Sequence, residues 1–199
     1  MLSREEFDAL EFGAARTGDH RAAAVRMGEL ADACSQAGEL TRAEAYLRAG
    51  EQWLLADDPQ AAAAGFRRAL ADGGGAFTDA RVSLARALFQ LGSTGEAREL
   101  ISQLEAGGRS DPRLCDLVAE LLVEQSDLIG ALDWANTGVE LCLAGPGGGL
   151  MNGHGDSAPT GVPPGADRTE LRLLLSLRYR IRNDMGLAED NYDKLLDEL

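Results

Sequence analysis

Large and small apolar residues alternate at helical spacing over most of the first 144 positions. The stretch 41–70 is the clearest example, with two runs of apolar residues three or four positions apart: Tyr46, Gly50 and Trp53, then Ala62, Phe66 and Ala69. This spacing places each run on one face of an α-helix. Because Gly50 has no side chain, it lets a second helix approach closely. The pattern therefore predicts a tightly packed pair of helices.

Helix-start signals precede both runs. Thr41 and Glu44 have the spacing of a capping box, in which the hydroxyl accepts from the third helical amide and the carboxylate reaches back. Asp58 followed by Pro59 favours a second start, because Pro at the first helical position loses only an amide that has no partner in the helix. Only a short turn near Asp57 separates the runs, so we expect the two helices to be antiparallel.

The same frame recurs at intervals of roughly 34 residues, a length typical of helical repeats. The second copy contains Leu84, Ala85, Leu88, Gly92, Ala97, Ile101 and Leu104, and the third contains Val118, Ala119, Leu122, Ala131, Ala135 and Gly138. A weaker copy upstream contains Phe7, Leu10, Ala23, Met27 and Leu30. The chain is therefore predicted to be built from repeated helix pairs.

Further capping and turn signals set the expected bounds of the other helices. Four candidate caps are Ser3 with Glu6, Thr78, Ser93 with Glu96, and Asp167 with Glu170. With the glycines that end helices, they predict helices at about 4–16, 20–37, 78–90, 93–106, 112–124, 128–143 and 167–186, and a short final helix. The run 145–165 is rich in Gly and Pro and has no periodic apolar face, so we expect a flexible insertion there.

The order of large and small residues in these helix pairs resembles the tetratricopeptide repeat family. The resemblance covers residues 4–144 and implies an all-α fold, a right-handed superhelical array of antiparallel helix pairs with about ten helices. The expected organisation is four repeats in 1–144, a flexible insertion in 145–166, and helices in 167–199 that cap the same domain. The Ala, Gly and Arg bias suits a GC-rich bacterium.

In this family the first helix of each pair lines a concave groove that binds partners. The frame assigns the groove positions to a mixed set of apolar, acidic and basic residues: Phe12, Glu44, Leu47, Glu51, Leu54, Asp79, Val82, Arg86, Phe89, Asp116, Glu120 and Val123. Apolar anchors between carboxylates suit an extended or helical segment that carries apolar and basic residues. Alternatively, some of the apolar residues pack between neighbouring first helices.

Composition limits the classes of partner. The chain has 199 residues and a formal net charge of −14, from 33 acidic and 19 basic residues. This charge disfavours nucleic acids and anionic membranes, which bind cationic side chains, and favours basic partners. Cys34, Cys115 and Cys142 are odd in number and have no paired spacing, so we expect reduced thiols in a cytoplasmic protein. The N-terminus lacks the basic flank and apolar run of a signal peptide.

Residues that could support catalysis or hold a cofactor are scarce. His20 and His154 have no Ser or Cys nucleophile at a spacing that the repeat geometry would bring together. The Gly-rich run lacks the strand, the following helix and the Lys of a phosphate-binding loop. His154 and Met151 alone do not fix a metal geometry. We therefore expect a protein that is not an enzyme and uses no cofactor or metal.

The predicted helix after the Gly-rich run is rich in arginine for so acidic a chain: Arg168, Arg172, Arg178, Arg180 and Arg182. One interpretation is a surface for nucleic acid or a partner. The other is a capping helix whose apolar face seals the array while its arginines pair with Glu189, Asp190 and Asp193. The apolar face would consist of Leu171, Leu174, Leu177 and Ile181.

Taken together, the sequence predicts a non-catalytic scaffold or adaptor that binds a peptide or helical segment in its groove. One alternative is a regulatory sensor that binds a small molecule or signalling peptide. Another is a structural subunit that assembles with copies of itself, so homo-oligomerisation stays open. The sequence does not decide whether the groove or the Arg-rich helix 168–182 is the binding surface.

Overall fold

A computed structural model describes residues 3–33, 39–73, 79–144, 162 and 167–199. Over these ranges the chain forms nine α-helices and one 3₁₀-helix, and it forms no strand. The α-helices are α1 Arg4–Thr17, α2 His20–Ala33, α3 Arg42–Leu55, α4 Pro59–Ala71, α5 Ala80–Gln90, α6 Thr94–Ala106, α7 Pro112–Glu124, α8 Leu128–Ala144 and α9 Arg168–Asp184; the 3₁₀-helix is Asp193–Glu198. The prediction of an all-α fold built from consecutive helix pairs is confirmed.

The chain divides into two compact units. Unit 1 is Met1–Leu104 and unit 2 is Glu105–Leu199. The predicted insertion, residues 145–166, lies outside the described residues apart from Val162. The proposed grouping of the C-terminal helices with the repeats therefore stays a prediction.

The core of unit 1 is built where α3 crosses α4. Phe66 of α4 is fully buried, and a Cβ atom added to Gly50 of α3 would overlap its ring. A Cβ on Gly65 would lie 3.4 Å from the Gly50 Cα. The two helices can therefore pack this closely only because both positions are glycine, as predicted for Gly50.

Caps define most helix starts as the sequence indicates. Thr41 and Glu44 form the complete capping box, with the Glu44 amide donating to the Thr41 hydroxyl and the Thr41 amide donating to the Glu44 carboxylate. Asp58, Asp111 and Asp167 each accept from backbone amides of the helix that follows.

Two predicted caps are wrong. Ser3 makes no side-chain cap hydrogen bond, and the neighbouring Arg4 amide donates instead to the Glu39 carboxylate, 3.1 Å away. The side chain that caps α5 is that of Asp79, which accepts from the Arg81 amide, whereas Thr78 lies outside the described residues. A carboxylate next to the first helical residue can therefore replace a predicted hydroxyl cap.

Unit 2 packs α7, α8 and α9 around an apolar centre. Gly138 of α8 lies against Cys115 of α7 and Leu174 of α9, and a Cβ atom there would approach both side chains within 3 Å. Trp134 of α8 is fully buried, and the Arg109 guanidinium lies 4.1 Å from its ring centroid. The predicted final helix is a 3₁₀-helix, preceded by a turn in which the Asp190 carboxylate accepts from the Tyr192 and Asp193 amides.

Candidate functional site

In unit 1, an arginine joins the first helices of the first two pairs. Arg48 of α3 donates from Nε to Glu11 Oε1 at 2.6 Å and from Nη2 to Asp8 Oδ1 at 2.5 Å, and both acceptors belong to α1. Its guanidinium also lies 5.5 Å from the centroid of the Phe7 ring. The hydrogen bonds to Glu11 are the largest cause that raises the pKa of the guanidinium. The pair of acids on α1 therefore fixes α1 beside α3.

Glu51 of α3, about one helical turn from Arg48, is half-buried. Burial raises the pKa of its carboxyl, and the negative charge of Glu11 raises it further. Arg48 and Arg86 of α5 act in the opposite direction and lower it. Acidic and basic side chains thus alternate across α1, α3 and α5. Because burial removes part of the hydration of this carboxylate, an additional positive charge close to it would stabilise its ionised form.

The other predicted groove residues of unit 1 differ in exposure. Phe12 is 70% exposed, which is unusual for so large an apolar side chain, whereas Leu54, Arg86 and Phe89 are half-buried. Glu44 and Asp79 serve as helix caps, and Asp79 also pairs with Arg81.

Leu47 and Val82 do not line an accessible surface. Val82 is 1% exposed and Leu47 is 9% exposed, so both side chains belong to the core. The frame failed here because α3 packs against α2, α4 and α5, and α5 also packs against α4, which buries these two side chains. The alternative that some of these apolar residues pack between helices therefore applies to Leu47 and Val82.

In unit 2, the predicted groove residues lie on α7. Asp116 and Val123 are half-buried and Glu120 is exposed. Burial is the main cause that raises the pKa of Asp116 to about 6, and the charges of Glu120 and Glu170 add to it. Arg180 and Arg113 act in the opposite direction. Asp116 therefore holds its proton at mildly acidic pH.

For the Arg-rich helix α9 the structure agrees with the buried apolar face and the ion pairs of the capping interpretation, whereas its use as a binding surface stays a prediction. Its predicted apolar face is buried as expected, at Leu171, Leu174, Leu177 and Ile181. Arg178 and Arg182 pair with Asp190 and Asp193, as the capping interpretation predicts. Arg172 and Arg180 are exposed. The helix therefore seals unit 2 with one face and presents positive charge on the other.

Sequence reasoning missed two residues of unit 1. Arg48 stands outside the frame's contact positions, although the acids at Asp8 and Glu11, three positions apart on α1, were a signal for a basic partner. Leu55 is 61% exposed at the end of α3 and gave no signal, because a leucine next to a helix end is usually covered.

The described residues offer little to catalysis. His20 Nδ1 lies 2.9 Å from Gln52 Oε1, and His154 and Cys34 lie outside the described residues. Cys115 and Cys142 are free and buried, and burial raises the pKa of each thiol to about 12, which opposes thiolate formation. Within the described ranges, no group of three or more His, Cys, Asp or Glu residues could hold a metal ion. None of the helices described is both long and apolar enough to cross a bilayer.

Comparison with known proteins supports the repeat frame. A family model described as tetratricopeptide repeat matches residues 54–121, from the end of α3 into α7. The searches of curated proteins and of solved structures found no significant match. The resemblance noted in the sequence is confirmed over the matched segment.

Proposed function

We propose that this chain, which carries a tetratricopeptide repeat segment at residues 54–121, is a non-catalytic binding module for proteins or peptides. Tetratricopeptide repeats generally mediate protein–protein interactions. The observation that carries the proposal is the set of acidic and basic side chains that interact across α1, α3 and α5 in unit 1, together with the exposed ring of Phe12 on α1. We call this the first-helix surface of unit 1.

The chemistry of this surface indicates the class of ligand. Phe12 offers an apolar anchor, and burying such a ring is worth about 2 kcal/mol. The half-buried Glu51 is stabilised by a cation brought close to it, because the raised pKa of its carboxyl reflects incomplete solvation. The net charge of −14 attracts basic ligands at long range. We therefore propose a peptide or helical segment with apolar residues and Lys or Arg between them.

A peptide library displayed on phage and selected on the full chain tests this proposal. We expect the selected sequences to combine apolar residues with Lys or Arg. Phe12→Ser with Glu51→Gln should weaken their binding by about tenfold or more, since loss of one anchor and one charge amounts to at least 1.4 kcal/mol. Binding should also weaken as salt rises.

The matched control is Val25→Ser on α2, since Val25 is also an exposed apolar residue of unit 1 but lies on a second helix. It should leave affinity unchanged. If Val25→Ser weakened binding and the Phe12 and Glu51 variant bound like the parent, the first-helix surface would not be the site. Light scattering on the same samples separates ligand binding from assembly of the chain with itself.

A further inference from the structure

We propose that the surface of α8 and α9 now covered by the C-terminal tail, residues 188–199, is a second binding groove. Its ligand is an acidic amphipathic segment of a partner protein, and the tail occupies the groove in the ligand's place. This groove lies within unit 2 and has the opposite charge preference to the first-helix surface of unit 1. The inference therefore does not depend on the proposed function.

The tail packs on the groove through apolar side chains at a regular spacing. Tyr192, Leu195, Leu196 and Leu199 stand at the i, i+3, i+4 and i+7 positions that form one face of a helix. They contact a buried cluster made by α8 and α9: Val139, Cys142, Leu171, Leu174 and Leu175. Amphipathic segments commonly dock into grooves of partner proteins with this spacing. The tail thus indicates the spacing of apolar residues that a ligand of the groove needs.

Two arginines of α9 define the charge requirement. Arg178 is 5% exposed and donates from Nη1 to Asp193 Oδ1 at 2.9 Å, and it also pairs with Asp190. Arg182 Nε lies 3.3 Å from Asp193 Oδ2. A buried guanidinium is costly without carboxylate partners, so any segment that replaces the tail must supply two acids three positions apart. The ligand motif is therefore two acids at the spacing of Asp190 and Asp193, followed by apolar residues.

The floor of the groove consists of residues of α8 and α9 that other helices also hold in place. Arg178 Nε donates to Asn136 of α8 at 2.7 Å, which fixes the guanidinium between α8 and α9. Leu171, Leu174 and Leu175 belong to a seventeen-residue α-helix that packs on α7 and α8. A rigid apolar floor with an oriented basic group is thus already in place for a ligand.

The tail is held in a way that allows exchange. Its regular structure is a six-residue 3₁₀-helix, in which hydrogen-bond geometry is poorer than in an α-helix. Among the described residues, the backbone–backbone hydrogen bonds of the tail stay within the tail. Side chains of α9 bind its backbone carbonyls: Arg168 donates to the Glu198 carbonyl at 2.7 Å, and Arg182 donates to the Ala188 carbonyl. Gly186, with φ +70°, lies between the end of α9 and the tail and can act as a hinge for the tail.

A labelled synthetic peptide with the sequence of residues 188–199, added to the full chain, tests the inference by fluorescence anisotropy. The tail competes in the parent at an effective concentration of about 1 mM, so we expect weak binding of the peptide. Leu196→Ala with Leu199→Ala loosens the tail without removing its carboxylates. This variant should bind the peptide about tenfold or more tightly than the parent, because it relieves the competition.

Three controls make the test specific. Lys194→Ala changes an exposed residue of the tail and should leave the affinity of the parent unchanged. A peptide with Asn in place of both Asp190 and Asp193 should not bind the loosened variant, because Arg178 and Arg182 then lack carboxylates. A second loosened variant, Asp190→Asn with Asp193→Asn, should also bind the unmodified peptide more tightly than the parent chain does. This variant keeps Leu196 and Leu199, so it tests the competition without changing the apolar contacts of the tail.

The outcomes are distinct. Tighter binding by both loosened variants, at unchanged helicity, supports an exchangeable groove. Equal affinity of the parent and both variants overturns it, and so does loss of helicity in both, because the tail would then be a fixed part of the core. A concentration-dependent dimer of the loosened variants that excludes the peptide would assign the groove to a second copy and overturn the partner assignment. Phe12→Ser with Glu51→Gln should leave this peptide's affinity unchanged, whatever its effect on the first-helix surface.

Discussion

Arg48 in unit 1 and Arg178 in unit 2 perform similar chemistry in different structural settings. Each pairs with two carboxylates and lies over an aromatic ring, that of Phe7 for Arg48 and that of Tyr192 for Arg178. The Arg48 side chain is 16% exposed and joins two α-helices, whereas that of Arg178 is 5% exposed and joins a helix to a short tail. The difference lies in what else holds the joined elements.

In unit 1, apolar packing carries the structure and the charges add to it. The α3–α4 crossing depends on the contact between Gly50 and Phe66, and Arg48 only fixes α1 alongside. In unit 2, the tail is held by both kinds of contact, because its apolar side chains pack on α8 and α9 and its carboxylates pair with the buried Arg178 guanidinium. Removing one partner of a deeply buried ion pair destabilises a protein more than replacing both partners, because one charge is left buried and unpaired. The two arginines should therefore differ in their effect on stability.

The largest effect on stability should come from the apolar packing of unit 1. Phe66→Ala should lower the free energy of unfolding by about 3 to 5 kcal/mol, because it leaves a cavity in the close α3–α4 crossing. Chemical denaturation followed by circular dichroism measures this change. Phe66→Leu, which keeps most of the volume, should be far milder. An unchanged denaturant midpoint for Phe66→Ala would contradict the packing described here.

Removing the buried arginine should rank second. Arg178→Met should cost about 3 kcal/mol in unit 2, because Asp193, buried while the tail is docked, loses the nearer of its two guanidinium partners. Urea denaturation of the full chain provides the measurement. Adding Asp193→Asn should cost less than the sum of the single changes, since the buried charge is then removed with its partner. Additive costs would indicate that the two side chains do not interact.

The stability of unit 2 should depend on pH through Asp116, whose carboxyl has a raised pKa. The folded Asp116 carboxyl keeps its proton up to about pH 6, whereas the unfolded one loses it near 3.8. The unfolded state therefore binds fewer protons between these values, and stability falls as pH rises through this window. The half-buried position reduces the effect to about 1 kcal/mol. Asp116→Asn should remove this decline in denaturation curves recorded from pH 4 to 7; an unaltered decline would assign it to other groups.

A similarly small effect should come from Arg48, the less buried counterpart of Arg178. Arg48→Met should cost about 1 kcal/mol, because the Asp8 and Glu11 carboxylates can turn to water when their partner is lost. The substitution also removes the guanidinium that lies 5.5 Å from the centroid of the Phe7 ring. Differential scanning calorimetry of the two arginine variants gives the comparison directly. A larger loss for Arg48→Met than for Arg178→Met would reverse the contrast drawn between the units.

Much of the fold could be predicted because its signals are local. Caps such as Thr41 with Glu44 and Asp58 before Pro59 act over three or four residues, and the structure has them where the sequence places them. The buried faces of α4 and α9 follow from apolar spacing in the same way. The local capping signal failed at Ser3. There the carboxylate of Glu39, which is distant in sequence, accepts from the Arg4 amide.

The candidate site was predicted less well, because exposure depends on neighbouring helices. The repeat frame selected Val82 and Leu47 as groove residues, and packing against adjacent helices buries both. It missed Arg48, whose acidic partners lie in another repeat, and Leu55, whose exposure depends on what covers the end of α3. For Phe12, Glu51 and Phe89 a place on the first-helix surface stays a prediction.

The sequence alone determined the helix pairs, their caps and the apolar faces, because these arise from interactions within a few turns of one helix. Tertiary structure decided which arginines are buried and which carboxylates resist ionisation, because dehydration depends on every element packed around a group. It also decided that the predicted final helix is a 3₁₀-helix over Asp193–Glu198. At its start the Asp190 carboxylate accepts from the Asp193 amide and Arg178 donates to the Asp193 carboxylate, and these partners lie outside the helix itself.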